Sequence, residues 1–354
     1  MKAFLILEDG SRFTGEAFGA EGTYIGEVVF NTSMTGYQEL LTDPTNAGQI
    51  VTMTYPLIGN YGVNEEDVTS DKICVKGLIA REFCDEPSNW RSVDFLDNYL
   101  KKNGVIGLKG IDTRELTRIL REKGTMNGII TTDAGLEHEE CLNKIRNFKP
   151  GNLVGNVTTE KMYHIPGTGH KVAVLDYGVK GSLLNSLTKR NCDVYVFPAN
   201  AEAEEILTVG PDGILLSNGP GNPQDCKSQV DVVKKLLGKL PVFGIGLGHQ
   251  ILALAMGGET TKLKYGHRGG NHPVKDLGKD RTYITAQNHG YVVSADKFDT
   301  ESAVVTHINM NDNTVEGIKY IKIPAFGVQF HPEVSSGYGD TGYLYDEFIS
   351  MMDK

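Results

Sequence analysis

The sequence has 354 residues, 40% of them hydrophobic and 23% charged, which is typical of a globular protein and excludes a disordered or fibrous chain. Its length is too great for one simple core and predicts two domains. The net charge of −10 argues against a nucleic-acid or membrane partner, because both surfaces are acidic and would repel the protein.

Cysteine usage and apolar runs bear on the compartment. The five cysteines form no C-x-x-C pair, and an odd number at irregular spacing predicts reduced, mostly buried thiols and no disulfide framework. The beginning, MKAFLILEDGSRF, lacks the long apolar stretch of a signal peptide. No apolar run approaches the ~20 residues of a membrane helix. We therefore expect a cytoplasmic protein.

Residues 1–148 are predicted to form a strand-rich first domain. Short buried strands are expected at Val28–Phe30 and Ile50–Thr54, between segments punctuated by glycine. One helix interrupts this pattern, with Asp112 as its predicted N-cap and Gly124 as its stop.

Residues 149–169 are predicted to be a linker, because they are rich in Gly, Pro, Thr and Asn and lack apolar periodicity. Residues 170–354 then alternate apolar runs with helix-length segments, which predicts βαβ units and a mostly parallel sheet flanked by helices. The predicted strands are Lys171–Leu175, Asp193–Phe197, Gly213–Leu216 and Pro241–Ile245, and the predicted helices include Val179–Arg190 and Gln229–Leu240. The expected class is α/β, in which ligands bind beyond the carboxyl ends of the strands.

The segment PVFGIGLGHQILALAM has the layout of a nucleophile elbow. An apolar strand leads through a tight turn into a helix that is predicted to begin near His249. Gly244 and Gly248 are the small neighbours that an elbow needs, and they flank Gly246, where the nucleophile belongs. Taken alone, the segment could equally be a plain strand-to-helix turn or a phosphate-binding loop, although it lacks the G-x-G-x-x-G and Walker spacings.

Two further loops follow apolar strands. In QFHPEV, His331 and Glu333 are the residue types of a general base and of the carboxylate that orients it, with a solvent-facing pair as the alternative. In LLSNGPGNP, Gly219 and Gly221 would let backbone N–H groups approach a substrate carbonyl, with an ordinary turn as the alternative.

The three loops, SNGPGNP, GIGLGHQ and QFHPE, resemble in this order the class I glutamine amidotransferase domain. The first domain narrows the resemblance, because FNTSMTGYQELLTDPTNAGQIV and GIDTRELTRILREKG are similar to the amino-terminal domain of carbamoyl-phosphate synthetase small subunits. The similarity spans essentially the whole chain.

This resemblance implies a subunit that hydrolyses glutamine and passes the ammonia to a large subunit. The complex is a ligase that makes carbamoyl phosphate for arginine and pyrimidine synthesis. The expected partners are therefore glutamine and the large subunit, in a heterodimer. ATP and Mg²⁺ are expected on the large subunit, and no cofactor is expected on this chain.

The resemblance also assigns roles by position. His331 and Glu333 match the family's base pair, and Gly246 stands at the nucleophile position. The positions that match the family's contacts to glutamine and its carbonyl group are Thr45, Gly219, Gly221, Leu247, Gln250, Asn288, Gly290 and Tyr291.

Gly246 departs from the family pattern, in which a cysteine forms a thioester with the glutamine acyl group. Glycine cannot form one, no Cys, Ser or Thr lies between Pro241 and Gly258, and Cys226 has no reason to face His331. We expect glutaminase activity to be lost and glutamine binding to persist. Gly246 is either an engineered knockout, which the match of every other site residue favours, or natural to a non-catalytic subunit of an ammonia-dependent synthetase.

Histidines are frequent near these motifs. They are His249, His267, His272 and His289. No spacing among them matches a zinc motif, so no metal site is predicted.

Overall fold

The computed structural model describes residues 1–295, 301–333 and 340–353. The chain divides into two compact units, Met1–Gly151 and Asn152–Lys354. Both contain strands and helices, and the α/β class expected from the sequence is confirmed.

A closed barrel forms the centre of the first unit. The strands of this unit are β1 (Lys2–Leu7), β2 (Arg12–Gly19), β3 (Thr23–Asn31), β4 (Gln49–Met53), β5 (Leu57–Ile58), β6 (Gly77–Ile79), β7 (Glu82–Phe83), β8 (Ile106–Lys109) and β9 (Met126–Thr131). The order around the barrel is β1-β2-β8-β6-β4-β3-β9, while β5 and β7 form a separate parallel pair. Closure leaves the barrel without an exposed sheet edge.

Short helices complete the first unit. They are α1 (Tyr37–Thr42), α2 (Leu96–Lys102), α3 (Thr113–Lys123) and α4 (His138–Arg146), with a 3₁₀ turn at Pro44–Asn46. The predicted ends of α3 are confirmed, because the Asp112 side chain accepts a hydrogen bond from the Glu115 amide (2.9 Å) and Gly124 ends the helix with φ 97°. Leu116 and Leu120 on its inner face are completely buried.

A ten-stranded sheet forms the centre of the second unit. Its strands are β10 (Tyr163–Ile165), β11 (Lys171–Asp176), β12 (Asp193–Pro198), β13 (Gly213–Leu216), β14 (Val242–Ile245), β15 (Thr260–Asp276), β16 (Arg281–Val293), β17 (Ala303–Asn309), β18 (Val315–Tyr320) and β19 (Ala325–Val328). Their order is β10-β12-β11-β13-β14-β19-β18-β17-β15-β16. The five strands from β12 to β19 in this order run parallel, and the other strands pair antiparallel.

Helices cover both faces of the parallel part of this sheet. They are α5 (Leu153–Val157), α6 (Gly181–Thr188), α7 (Ala203–Thr208), α8 (Lys227–Leu236), α9 (Leu247–Ala255) and α10 (Tyr343–Met352), with a 3₁₀ turn at Pro223–Asp225. Along β11, Ala173 and Leu175 join one buried cluster with α8 and α9, whereas Val172 and Val174 join another with α6 and α10. This alternation is the period-two pattern of a strand that is buried on both faces.

The helices of both units are short. The longest among the described residues is α3, with 11 residues. None of the described helices combines the length and the apolar character that a membrane crossing requires.

The segment 149–169, expected to be a linker, contains regular structure that belongs to the second unit. The Asn152 side chain caps α5, and β10 pairs with β12 at the edge of the sheet. Asp176 at the end of β11 holds the chain between them, because its carboxylate accepts from the Thr159 amide at 2.7 Å. These contacts reach residues distant in sequence, so the local composition could not reveal them.

The predicted helix at Gln229–Leu240 is wrong at both ends. Helix α8 spans Lys227–Leu236, because Leu237 has an extended ψ of 139° and Gly238 a left-handed φ of 76°. The two residues break the helical hydrogen-bond pattern before the predicted end.

Candidate active site

Three loops of the second unit meet at the carboxyl edge of its sheet. β13, β14 and β19 are parallel neighbours, and Asn218, Gly246 and His331 follow their carboxyl ends within three residues. Because parallel strands end at the same edge, these positions come together, as expected from the sequence. The structure therefore brings together three segments at one edge of the sheet: the loop SNGPGNP, the elbow at Gly246, and the loop QFHPE, which we call the base loop.

The turn between β14 and α9 has the backbone of a nucleophile elbow. Gly246 has φ 57° and ψ −113°, a conformation that residues with a side chain rarely adopt. Its amide donates to the Val328 carbonyl (2.9 Å), and its carbonyl accepts from the Gln250 amide (3.2 Å). Helix α9 consequently begins at Leu247, so the prediction of a start near His249 is wrong by two residues.

The two glycines beside position 246 are sterically required. A Cβ at Gly248 would collide with the Leu216 carbonyl oxygen, and one at Gly244 would lie 2.8 Å from the Gly248 carbonyl oxygen. Both predictions of a small neighbour are confirmed by this packing. A plain strand-to-helix turn has no need for two such close approaches.

Position 246 itself has room for a side chain. A Cβ there would have its nearest contacts at 3.3 Å and 3.6 Å, to the Cβ and Cα of Asn218, and at 3.9 Å to the Gln329 carbonyl oxygen. The strained φ would cost a residue with a side chain roughly 1–3 kcal/mol, and glycine avoids this cost. The elbow therefore has its characteristic backbone conformation, although residue 246 has no side chain.

No nearby hydroxyl or thiol among the described residues of these loops takes over the nucleophile's position. Ser217 is fully buried, and its Oγ accepts from the Tyr177 amide and donates to the Asn218 carbonyl, both at 2.9 Å. Cys226 is also buried, and burial raises the pKa of its thiol to about 12. A thiol with that pKa stays protonated near neutral pH and is a poor nucleophile.

The base loop is enclosed by the protein. His331 is 6% exposed and Glu333 is 4% exposed, so the alternative of a solvent-facing pair is wrong. The His331 amide donates to the Ala286 carbonyl of β16 at 3.0 Å, which ties this loop to the antiparallel part of the sheet.

A buried lysine contacts the predicted base. Lys180 is 2% exposed, and its Nζ lies 2.7 Å from His331 Nδ1 and 3.9 Å from Glu333 Oε1. An ammonium can only donate, so charged Lys180 makes Nδ1 an acceptor and leaves the imidazole proton on Nε2. Lys180 was not predicted from the sequence, although it lies just beyond β11 and a search of every loop after a strand could have found it.

Helix α9 and strand β16 bring four of the eight predicted glutamine contacts together. Gln250 Nε2 donates to the Tyr291 carbonyl at 2.7 Å and to Gln329 Oε1 at 2.9 Å, which joins the helix to the strand. Asn288 and Gly290 lie on the same strand, immediately before Tyr291. The structure therefore places four of the predicted residues around one helix-to-strand contact, and their roles toward glutamine stay predictions.

The predicted carbonyl contacts are also adjacent. A Cβ at Gly219 would lie 2.8 Å from Leu247 Cδ2 and would collide with the Tyr177 carbonyl. Only glycine at this position lets the loop pack so closely against α9. Gly221 has φ 92°, which again favours glycine. Leu247 is the first residue of α9, where the amide has no acceptor within the helix and the helix dipole favours negative charge.

Thr45 belongs to the first unit. It is buried, and both its amide (2.9 Å) and its Oγ1 (2.7 Å) donate to Asp43 Oδ1. This fixes the hydroxyl in the 3₁₀ turn after α1, and the contact between Thr45 and glutamine stays a prediction.

Comparison with known proteins matches each unit separately. Residues 5–130 match the family described as carbamoyl-phosphate synthase small chain, CPSase domain, and residues 173–351 match glutamine amidotransferase class-I. A crystal structure of a glutamine amidotransferase from Thermotoga maritima is 18% identical with a TM-score of 0.38, over 47% of this chain and 77% of that one.

Curated relatives match the chain over its full length. A carbamoyl phosphate synthase small chain of Clostridium perfringens is 53% identical, over 99% of this chain and 99% of its own. The carbamoyl phosphate synthase pyrimidine-specific small chain of Halalkalibacterium halodurans is 50% identical, over 100% of this chain and 98% of its own. The chain thus belongs to the carbamoyl phosphate synthase small chain family.

Proposed function

We propose that this chain is a small subunit of carbamoyl-phosphate synthase that binds glutamine without hydrolysing it, and that its large subunit takes ammonia from solution. The observation that carries this proposal is Gly246, which occupies the elbow of a site whose other predicted residues match the family by position. The large subunit would bind ATP and Mg²⁺ and form carbamoyl phosphate for arginine and pyrimidine synthesis.

The binding half of the proposal rests on residues that do not involve position 246. Gln250 is anchored to Tyr291 and Gln329, and Gly219 packs against Leu247 at the start of α9. In this proposal, the backbone amides at the latter two positions donate to the substrate carbonyl. Glutamine would therefore find its recognition groups in position even though the sulfur is missing.

The proposed loss of glutamine hydrolysis has a chemical reason. The family's reaction forms a bond between a cysteine sulfur and the amide carbon of glutamine, and ammonia leaves as the carbon–nitrogen bond breaks. Glycine offers no atom for the first bond, and Ser217 and Cys226 are engaged or protonated elsewhere. Removing the nucleophile of a hydrolase costs on the order of 10⁶-fold in rate, or roughly 8 kcal/mol.

The nitrogen source of the complex tests this proposal. The chain, purified with its own large subunit, is assayed for carbamoyl phosphate formation with glutamine and with ammonium chloride, beside the Gly246→Cys form. We expect ammonium to support synthesis in both forms and glutamine to support it in the Cys form alone. Equal rates with glutamine and ammonium in the Gly form would overturn the proposal.

Glutamine binding is tested separately by calorimetry of the unmodified chain in the same complex. We expect a glutamine signal that Gln250→Leu weakens by at least about tenfold, because that change removes the link between α9 and β16. Glutamate serves as the control ligand. Absence of any glutamine signal would reject the binding half and leave a subunit that only supports the large chain.

A second candidate is a glutaminase subunit from which the cysteine has been removed. The match of every other predicted site residue favours it. The residue at position 246 in the gene of the source organism separates the two, because a cysteine codon there assigns the natural protein to the glutamine-hydrolysing class.

A further inference from the structure

Three strands bring two histidines and a glutamate together beside the glutamine site. His267 on β15 and His289 on β16 are paired across the sheet with ring centroids 5.1 Å apart, and Glu316 lies on β18. One potential ligand atom from each residue lies within 4.8 Å of the other two. The proposed glutamine site does not use these three side chains, so we define them as the His-His-Glu cluster.

The hydrogen bonds of His267 direct a lone pair into the cluster. Its Nε2 lies 2.9 Å from Asp312 Oδ2, an acceptor, so the neutral ring carries its proton there. Its Nδ1 then accepts from Asn309 Nδ2 at 3.4 Å and lies 3.5 Å from Glu316 Oε1. The Asn309 contact is long for a hydrogen bond, so the Nδ1 lone pair can instead bind a cation beside the Glu316 oxygen.

His289 has the same surplus of acceptors. Its Nδ1 lies 2.9 Å from the Tyr291 carbonyl oxygen, and its Nε2 lies 2.8 Å from Gln287 Oε1. A neutral imidazole has one N–H for these two oxygens. With Nδ1–H donated to the backbone carbonyl, the Nε2 lone pair faces Gln287 Oε1, and a bound cation would remove this repulsion.

Glu316 is completely buried, and its carboxylate is only partly satisfied. Oε1 accepts from Asn309 Nδ2 at 2.9 Å, while Oε2 has no partner in hydrogen-bonding geometry among the described residues. A buried carboxylate without full compensation costs several kcal/mol. Oε2 can therefore accept a bond from a further positive group.

We propose that His267, His289 and Glu316 bind a divalent transition-metal cation of the zinc class. Two imidazoles and a carboxylate are a common ligand set for such ions. Asp312 and the Tyr291 carbonyl hold the outer nitrogens of His267 and His289, as the partners of metal-bound histidines usually do. The carboxylates of Glu316 and Asp312 balance the two positive charges.

The side chains need only a small movement to close around an ion. Ligand atoms around a tetrahedral zinc ion lie about 3.3 Å apart, from zinc–nitrogen distances of about 2.0 Å. Contraction from 4.8 Å therefore moves each of two atoms by less than about 1 Å. A proton on His267 or a bound water would satisfy the same ligand atoms without a metal. Either alternative predicts that no metal binds.

Metal titration of the complex tests the proposal. After treatment with a chelator, the protein is titrated with Zn²⁺ against a chromophoric competitor, beside Glu316→Gln, His267→Asn and the control His307→Asn. His307 is likewise buried in this sheet, 3.1 Å from the Tyr343 hydroxyl and outside the cluster. We expect one tight site per chain that the first two changes weaken at least about 100-fold and the control leaves unchanged.

X-ray absorption spectroscopy of the unmodified zinc-loaded protein keeps the proposal testable if a variant fails to fold. We expect a shell of nitrogen and oxygen with the scattering pattern of imidazole. A sulfur shell would assign the zinc to cysteines, and either that result or the absence of stoichiometric binding would overturn the proposal. The titration and the spectrum are independent of residue 246, so they stand apart from the proposed function.

Discussion

The elbow and the base loop lie on neighbouring strands, yet they differ in what each retains. The elbow keeps its backbone, with Gly246 at φ 57° and hydrogen-bonded to Val328 and Gln250, and has no side chain at position 246. The base loop keeps all its charged groups, with His331 and Glu333 buried against Lys180.

The difference shows that the two parts of the site are maintained by different interactions. The elbow is held by main-chain hydrogen bonds and by the close approach of Gly244 and Gly248, so glycine at position 246 fits without strain. The base loop depends on buried charges, each of which costs several kcal/mol to desolvate. Glycine at position 246 is therefore compatible with the observed arrangement of the neighbouring loops.

One large expected effect combines the two loops. In a Gly246→Cys background, we expect His331→Asn to reduce glutamate release by on the order of 10⁴-fold or more, because the restored thiol loses its base. The surface change His164→Asn in the same background is the control. A loss of less than tenfold would show that the base loop does not serve the elbow.

Substitution of the buried Lys180 tests the base loop alone. We expect Lys180→Met to lower the free energy of unfolding by about 3 kcal/mol, because it removes the ammonium 3.9 Å from the buried Glu333 carboxylate. Chemical denaturation measures the change, with exposed Lys239→Met as the control. Equal stability of both variants would show that the contacts of Lys180 do not stabilise the base loop.

Steric contacts at the elbow give an effect of similar size. We expect Gly248→Ala to destabilise the protein by about 3 kcal/mol, since the new Cβ would collide with the Leu216 carbonyl oxygen in β13. Gly278→Ala, whose Cβ would have its nearest contact at 3.4 Å, is the control in the same denaturation series. Unchanged stability of the Gly248→Ala variant would indicate that β13 and α9 pack less closely than described.

The smallest effect belongs to position 246. Gly246→Ala meets no atom closer than 3.3 Å, so its cost comes from the positive φ and should be about 1 kcal/mol. The same denaturation assay compares it directly with Gly248→Ala. A cost as large as that of Gly248→Ala would mean that the elbow has no room for a nucleophile.

Local patterns were enough to predict the elements that carry the site. The runs Gly213–Leu216 and Lys171–Leu175 are strands within one residue of their observed ends, because buried parallel strands have continuous apolar sequences. The order of the three loops then followed from strand adjacency. The elbow was predicted from Gly244 and Gly248, because only glycine fits where the main chain of another segment comes so close.

Features made by residues distant in sequence could not be predicted in this way. Lys180 meets His331 across 151 positions, and the His-His-Glu cluster combines ligands from three strands whose spacing matches no metal motif. The regular structure in 149–169 likewise depends on Asp176 and β12. Each depends on the register of a sheet, which a single sequence does not specify.

Glutamate release from glutamine is the sharpest check on the role of residue 246. The complex with the large subunit is assayed with the unmodified chain and with Gly246→Cys under identical conditions. We predict that the Gly form releases glutamate at the background rate and that the Cys form is faster by on the order of 10⁶-fold. A Gly form within tenfold of the Cys form would contradict this prediction, because it would require a nucleophile other than residue 246.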